Sequence, residues 1–444
     1  MKLNLRIAPY IIFFLGHEFG VISLTLAIIS SQIVSFLQLL LSSSKEVSFL
    51  TLISSLAILQ WLVGPLVYYS DFNPGQVLEI TIMQVDSEEY FSYAWPGTLC
   101  MVIGLGLIKS SVNVESILNR GFEKSKWMIN YIIVGIISGL ILPFLPIYLS
   151  FFFKVISYLS YVGLFALIIK RNKNIKEKRW LLIASLLTVF NSFKAAMFGE
   201  LIFFSLLTIL LFFYLRRTSV KRKVFLITII GAFGLFIQLI KMPLRELNKN
   251  NNSSTISNVS KLLNGKILTK SNLKSDAFMA YTIARFNNGA VISFVLDRVP
   301  KNVSYARGNT ISSAILGSFI PRILWPTKET SGTAMYLKYT GLRFEGASYG
   351  ISQLGEGYAN FGKKGGIVYM FFLGLGMSIL LYKLIQYSIH NPRYFFFLPV
   401  IFLHGIKVET ELNRSVGFML RVIIVLWVLN QLLRLISNQK YSLY

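Results

Sequence analysis

The sequence predicts an all-α polytopic membrane protein of about a dozen transmembrane helices with one long extracytoplasmic loop. Three observations predict it. The 444 residues are 54% hydrophobic and only 14% charged, with a mean hydropathy of +0.61, more apolar than a water-soluble core of this length requires. Uncharged apolar runs recur along the chain, and Lys and Arg concentrate on alternate connections between them.

The runs occupy residues 20–41, 49–69, 91–108, 127–149, 155–169, 180–193, 201–215, 224–240, 366–381 and 394–406, with an eleventh at 415–436 interrupted by Arg421. Several exceed the roughly 20 residues needed to cross about 30 Å of hydrocarbon, and shorter ones can span by local thinning or snorkelling. Residues 3–14 form the weakest run. They have no small-residue cleavage site, so they read as a retained helix and not as a removed signal.

Orientation follows from the cations, because short translocated loops are poor in Lys and Arg. The connections 170–179 (Lys170, Arg171, Lys173, Lys176, Lys178, Arg179) and 216–223 are almost purely basic and are expected in the cytoplasm. Alternating outward places the acidic stretch 71–90 outside, both termini inside, and only Lys154, Lys194, Lys407 and Arg414 on short outer connections. The expected location is a bacterial cytoplasmic (inner) membrane.

Three regions result: N-terminal helices over 1–242, a large extracytoplasmic loop over 243–365, and C-terminal helices over 366–444. A connection of about 120 residues is too long to be structureless by default. Residues 248–274 are rich in Asn, Ser and Lys and read as solvated chain. Residues 276–365 mix aromatics with Arg and Gly, which predicts short helices folded onto the membrane domain, with 277–299 amphipathic.

The formal net charge of +25 does not indicate nucleic acid. Its excess is topogenic or lies in the one loop, and no nucleic-acid motif accompanies it. Cys100, the only cysteine, lies in an apolar run and excludes an internal disulfide. The loop's basic balance has two readings, attraction to lipid headgroups or a phosphate site in which guanidinium groups bind diphosphate oxygens bidentately.

Two motifs in the loop bear on the choice through a resemblance. Pro321-Arg322-Ile323-Leu324-Trp325-Pro326-Thr327-Lys328 is followed by Gly355-Glu356-Gly357-Tyr358-Ala359-Asn360-Phe361-Gly362 just before a span. In this order they resemble the segments that close the large loop of bacterial oligosaccharide repeat unit polymerases, the O-antigen and exopolysaccharide polymerase family. Asn191-Ser192-Phe193-Lys194 at an outer helix end, the helix number and the loop position extend the resemblance over most of the chain. It implies a GT-C-like helical fold and a metal-independent glycosyltransferase without cofactor. The reaction it implies moves a growing glycan from its polyprenyl diphosphate onto a hydroxyl of the next lipid-linked repeat unit. A flippase and a chain-length regulator of the same pathway are expected partners, beside the bilayer itself.

Such a reaction needs cations around the departing diphosphate and a group to orient or deprotonate the acceptor hydroxyl. Arg322 and Lys328, in the first motif, are diphosphate-binding candidates; their structural alternative is anchoring at the headgroup plane. Lys194, on a hairpin tip, is another, with pairing to Glu200 as its alternative. Arg285 and Arg307 flank apolar loop segments, and Arg245 follows a span directly. Arg414 and Arg421 are seven residues apart, hence on one face, and a guanidinium at Arg421 needs a partner or a watery cavity. Its alternative is pairing with a carboxylate such as Glu411. Glu356 and His404 are candidates for the acceptor proton, with loop ordering and core packing as their alternatives, and Glu409 is in reserve. The acidic group Asp86, Glu88 and Glu89 is the one place for a weak metal site, and His17, His390 and His404 are not spaced for one. Competing functions are a ligase that transfers finished glycan to another acceptor, a lipid-linked oligosaccharide flippase or other transporter, and a non-catalytic assembly scaffold.

Overall fold

A computed structural model of the chain describes residues 5–43, 46–70, 82–109, 121–122, 126–194, 198–216, 218–250, 286–320, 324–325, 332–342 and 350–441, and among these the only regular structure is helical. In chain order the helices are α1 (Ala8–Glu18), α2 (Leu24–Ser42), α3 (Phe49–Tyr69), α4 (Ser87–Gly106), α5 (Lys126–Ile141), α6 (Ile147–Ser157), α7 (Leu159–Ile169), α8 (Ile175–Lys194), α9 (Gly199–Arg216), α10 (Val220–Asn250), α11 (Gly289–Arg298), α12 (Asn309–Phe319), α13 (Thr333–Thr340), α14 (Ser352–His390), α15 (Leu398–Ile401) and α16 (Val416–Tyr441). Six stretches of the described residues are long and apolar enough to cross a membrane: Leu24–Leu41, Phe49–Tyr69, Trp127–Phe144, Leu149–Ile169, Gly199–Arg216 and Ser352–His390. The protein is membrane-embedded. The apolar runs 91–108, 180–193, 224–240 and 415–436 are also helical, in α4, α8, α10 and α16.

The centre of the fold is the pair α4 and α14. Gly104 and Gly374 face each other so closely that a β-carbon on either would fall within 2.4 Å of the partner backbone, the small-residue contact by which membrane helices maximise packing. Tyr93, buried on α4, donates its hydroxyl to the Leu354 carbonyl at 2.7 Å. Asp86 caps α4, its side chain accepting from the Glu89 amide at 2.7 Å, while Glu88 and Glu89 lie in the first turn. The acidic group thus has a full explanation as a helix start that complements the helix dipole.

Three expected elements take a different form. The run 127–149 does not continue as one helix, because Pro143 and Pro146 lack the amide that would extend it. The chain turns there, and Lys154, expected on the connection, instead sits inside α6 about 10 Å along the helix from its start. The run 394–406 is not a regular span either. It begins as a 3-10 turn at Pro392–Phe397, passes through α15, and loosens into successive turns through residue 415. This irregular backbone is tolerated because Phe402, Leu403 and Ile406 are wholly buried in protein, away from lipid. It still traverses the molecule, since the Val408 carbonyl accepts from the Gln353 amide at the far end of α14. Lastly, helix extends past both expected loop boundaries: α10 runs to Asn250, and α14 begins at Ser352. Gly362, at φ 66° and ψ −165°, breaks α14 just before the expected boundary at 366. Tyr305 packs onto that glycine, in a backbone conformation essentially reserved for glycine.

The two basic connections lie together at one end of the helices. Arg216 donates to the Ile169 carbonyl at 3.0 Å, and Lys170 pairs with Glu177 at 2.6 Å. Helices α11 to α13 lie in the expected loop, at the opposite end, where α11 and α13 share a core of Val291, Val295, Val299, Met335, Tyr336 and Tyr339.

Candidate functional site

Beside the loop helices, the irregular crossing 402–415, the start of α9, helix α6 and the start of α16 converge. Glu200, in the first turn of α9, is the hub. Its Oε1 accepts from Lys154 Nζ at 3.1 Å and from the Tyr158 hydroxyl at 3.0 Å, and His404 Nε2 lies 3.9 Å away. The ammonium of Lys407 approaches His404 Nδ1 at 3.4 Å. An ammonium can only donate, so Nδ1 is the acceptor and the ring proton is assigned to Nε2, toward Glu200. Phe418 supports the imidazole at 4.1 Å between ring centroids, and Lys407 lies 5.4 Å above the Phe203 ring.

Arg421 reaches back along α16. Its Nε donates to the Gly417 carbonyl at 2.8 Å, and its Nη2 to the Asn413 carbonyl at 2.7 Å and side-chain oxygen at 3.2 Å. Its guanidinium lies 4.9 Å from the Phe151 ring centre, a cation–π contact that supports a charge in an apolar setting. Nη1 has no acceptor among the described residues. Arg414 pairs with the buried Glu411 at 3.2 Å and packs against the backbone of Gly332. Glu409 accepts from Gln60 at 3.3 Å. Gln60 lies in a π-helical turn at Leu59–Val63 of α3, and Pro65 just beyond it has no amide to offer the preceding turn, so the Gln60 and Trp61 carbonyls accept instead from the Asn288 amide and the Tyr90 hydroxyl.

Lys407, Lys154, Arg421 and Arg414 are the four cations that act electrostatically on the His404 ring. Two of them, Lys154 and Arg414, are paired with carboxylates; Lys407 and Arg421 have none within salt-bridge distance among the described residues. Lys407 is instead directed at His404 and Phe203, and Arg421 at backbone carbonyls and Phe151, so two cations of one cluster are held by neutral groups.

The second motif builds a clamp behind this cluster. Glu356 is buried, and both of its carboxylate oxygens are engaged: Oε1 accepts from the Thr310 hydroxyl at 2.7 Å, and Oε2 from the Leu412 amide at 2.6 Å. Asn360, one helical turn on, donates to Thr310 Oγ1 at 2.7 Å and accepts from the Gly308 amide at 2.9 Å. The two side chains pin the start of α12 and the crossing 402–415 to α14, with both carboxylate oxygens of Glu356 accepting from protein groups.

Of the candidates read from the sequence, the structure brings His404 and Arg421 into one cluster: His404 lies on Phe418, and Arg421 on Phe151, which packs edge-on against Phe418. Glu356 stands behind them. Arg307 is exposed on a left-handed turn (φ 48°), its amide held by the Asn360 carbonyl at 3.2 Å. The backbone of Lys194 closes α8 and that of Arg245 lies in α10, with their side chains outside what is described. Arg285, Arg322 and Lys328 lie outside the described residues. The flanks of the segment bearing Arg322 and Lys328 do reach the site: Ser318 donates to the Gly417 carbonyl at 3.2 Å, and Gly332 touches Arg414.

Sequence reasoning did not single out Glu200, Lys154, Tyr158 or Lys407 as site residues. One signal was available: Lys154, Lys407 and Arg414 are three of the four cations on expected outer connections, where the positive-inside bias disfavours them.

No curated protein and no solved structure matches the chain. A family profile described as Domain of unknown function (DUF8712) matches residues 83–432, which take in every residue of the cluster and the clamp. Over more than three quarters of its length, therefore, the chain belongs to the DUF8712 family.

Proposed function

We propose that the protein is a multi-pass membrane glycosyltransferase that polymerises polyprenyl-diphosphate-linked oligosaccharide repeat units into a surface polysaccharide, at the extracytoplasmic face of a bacterial inner membrane. The observation that carries the reading is a pair of cations without carboxylate partners among the described residues, Lys407 on the irregular crossing and Arg421 in α16, beside the loop segments that resemble repeat unit polymerases. In this reading Arg421 and Lys407 bind the diphosphate, joined by Arg322 and Lys328 from the segment tethered at Ser318 and Gly332. Developing charge on the departing phosphate oxygen is then met by fixed donors in a site of low dielectric. His404 orients the acceptor hydroxyl. Glu356 positions the loop. The described carboxylates around the cations are engaged with protein groups, Glu200 with Lys154, Glu411 with Arg414 and Glu409 with Gln60, which supports a reaction in which arginine and lysine do the work of a divalent ion. A GT-C-like arrangement of about twelve spans, with both termini in the cytoplasm, belongs to the same proposal.

Deletion of the gene followed by electrophoresis of surface glycan tests the function: a ladder that collapses to a single repeat unit is expected. Full-length ladders overturn it. Loss of any externally exposed lipid-linked unit would indicate a flippase instead, and single chains lost from one acceptor only would indicate a ligase. Arg322→Ala and Lys328→Ala are expected to shorten the ladder without loss of membrane-inserted protein, checked by immunoblot of the same membranes.

Orientation is tested by labelling. In a Cys100→Ser background, Ser254→Cys is expected to react with a membrane-impermeant maleimide in intact cells. Reaction only after lysis reverses the topology and removes the cluster from the side where lipid-linked repeats are polymerised.

A further inference from the structure

At the opposite end of the helices from this cluster, the connection between α7 and α8 is a built structure. Asn174 and Glu177 form a reciprocal capping box: the Glu177 amide donates to Asn174 Oδ1 at 2.8 Å, and the Asn174 amide to Glu177 Oε2 at 3.1 Å. Glu177 also neutralises Lys170. Lys173 donates to the Lys170 and Ile168 carbonyls and Arg216 to the Ile169 carbonyl, so two cations cap the C-terminus of α7. The connection encloses an open bowl of about 610 Å³ lined by Lys170, Arg171, Lys173, Asn174, Glu177 and Lys178. Cations are crowded in it: burial pushes the Lys173 amine down, and Arg216, Lys170 and Lys178 push the same way against Glu177.

With Glu177 committed to Lys170, the exposed Arg171, Lys178 and Arg179 have no carboxylate partner among the described residues. An anion placed here would relieve their mutual repulsion. The ground for identifying that anion lies directly along α8. Arg179 shares a helix face with Leu182, Leu186 and Phe190, which are 61%, 60% and 43% exposed. Lys178 lines the bowl and Arg179, next to it in the chain, heads the uncovered stripe; a basic bowl adjoining an apolar stripe matches the two ends of a phospholipid, and the headgroup plane lies where such helices end.

We propose that the α7–α8 connection and the exposed face of α8 form a binding site for one anionic phospholipid, its phosphate held by Arg171, Lys178 and Arg179 and its acyl chain lying along Leu182, Leu186 and Phe190. The site is separate from the proposed reaction and does not depend on it. A soluble phosphate would meet the same cations but not the stripe.

The test uses the full-length protein, purified in a neutral detergent, delipidated and examined by native mass spectrometry after addition of phosphatidylglycerol, phosphatidylcholine or inorganic phosphate. Wild type is expected to retain one phosphatidylglycerol through collisional activation and to retain neither of the others. The triple variant Arg171→Ala, Lys178→Ala, Arg179→Ala is expected to lose that adduct at least tenfold, with an unchanged size-exclusion profile. A second variant, Leu186→Asn, keeps every cation and is expected to weaken phosphatidylglycerol alone. Equal retention of phosphatidylcholine, equal retention by the triple variant, or inorganic phosphate binding that matches phosphatidylglycerol would each overturn the site.

Discussion

Arg421→Ala is expected to lower polymer formation about a hundredfold, the equivalent of roughly 3 kcal/mol of transition-state stabilisation, while the protein stays folded in the membrane. The size of the effect follows from how the guanidinium is held. Nε and Nη2 are anchored on Gly417 and Asn413, and Phe151 lies against the guanidinium, so the group is fixed before any ligand arrives. A fixed donor costs little reorganisation when charge develops. Arg421→Lys is expected to recover little, because a single ammonium cannot both keep these anchors and present a planar donor edge to phosphate. Lys407→Ala should weaken the same step, as its ammonium also has no carboxylate partner among the described residues. The measurement is chain-length distribution in cells, together with single-turnover rates on a synthetic lipid-diphosphate repeat at saturating concentration. Wild-type ladders and rates in Arg421→Ala, at equal expression, would remove this residue from the site.

The helical class and most helix positions were legible because hydrophobic runs and cation placement are one-dimensional signals that a bilayer enforces directly. Departures from the expected elements came where a local residue overrides average hydropathy. Pro143 and Pro146 end a helix inside an apolar run, and in doing so they carry Lys154 from a supposed connection into the body of α6. The crossing 392–415 reads as apolar, but its backbone is satisfied by turns and neighbouring side chains, among them the carboxylate of Glu356, which no run of hydropathy records. The π-helical turn in α3 is followed by Gly64-Pro65, a break in helix hydrogen bonding that average hydropathy passes over, and only the fold shows Gln60 set against Glu409.

The candidate site was legible in parts and not as an assembly. The four-residue spacing of Glu356 and Asn360 places both on one helix face, but only the fold reveals that they grip Thr310, Gly308 and Leu412. His404 and Arg421 stood out as polar groups in apolar runs, whereas Glu200 did not, since a carboxylate in the first turn of a helix is unremarkable by itself. Its importance lies in meeting Lys154, Tyr158 and His404, which come from other helices or from the distant crossing.

Glu356→Gln and Glu356→Ala should separate two roles that the sequence alone leaves open. If Glu356 positions the loop, the glutamine variant retains most activity. Its amide oxygen can accept from the Leu412 amide and its NH₂ can donate to Thr310 Oγ1, so the clamp survives with a loss of about 1 kcal/mol from the weaker, uncharged hydrogen bonds. The alanine variant has no such substitute. It leaves the Leu412 amide buried without its acceptor and removes the hydroxyl's partner, a cost of about 3 kcal/mol that falls on the joint between α12, α14 and the crossing. The expected result is a near-normal glycan ladder for Glu356→Gln, with a small fall in unfolding temperature, and a large fall in both for Glu356→Ala. Thermal unfolding in detergent and electrophoresis of surface glycan from the same cells read the two quantities independently. A glutamine variant as stable as wild type that makes only single repeats would assign the acceptor proton to Glu356, because an amide preserves the clamp and cannot take a proton.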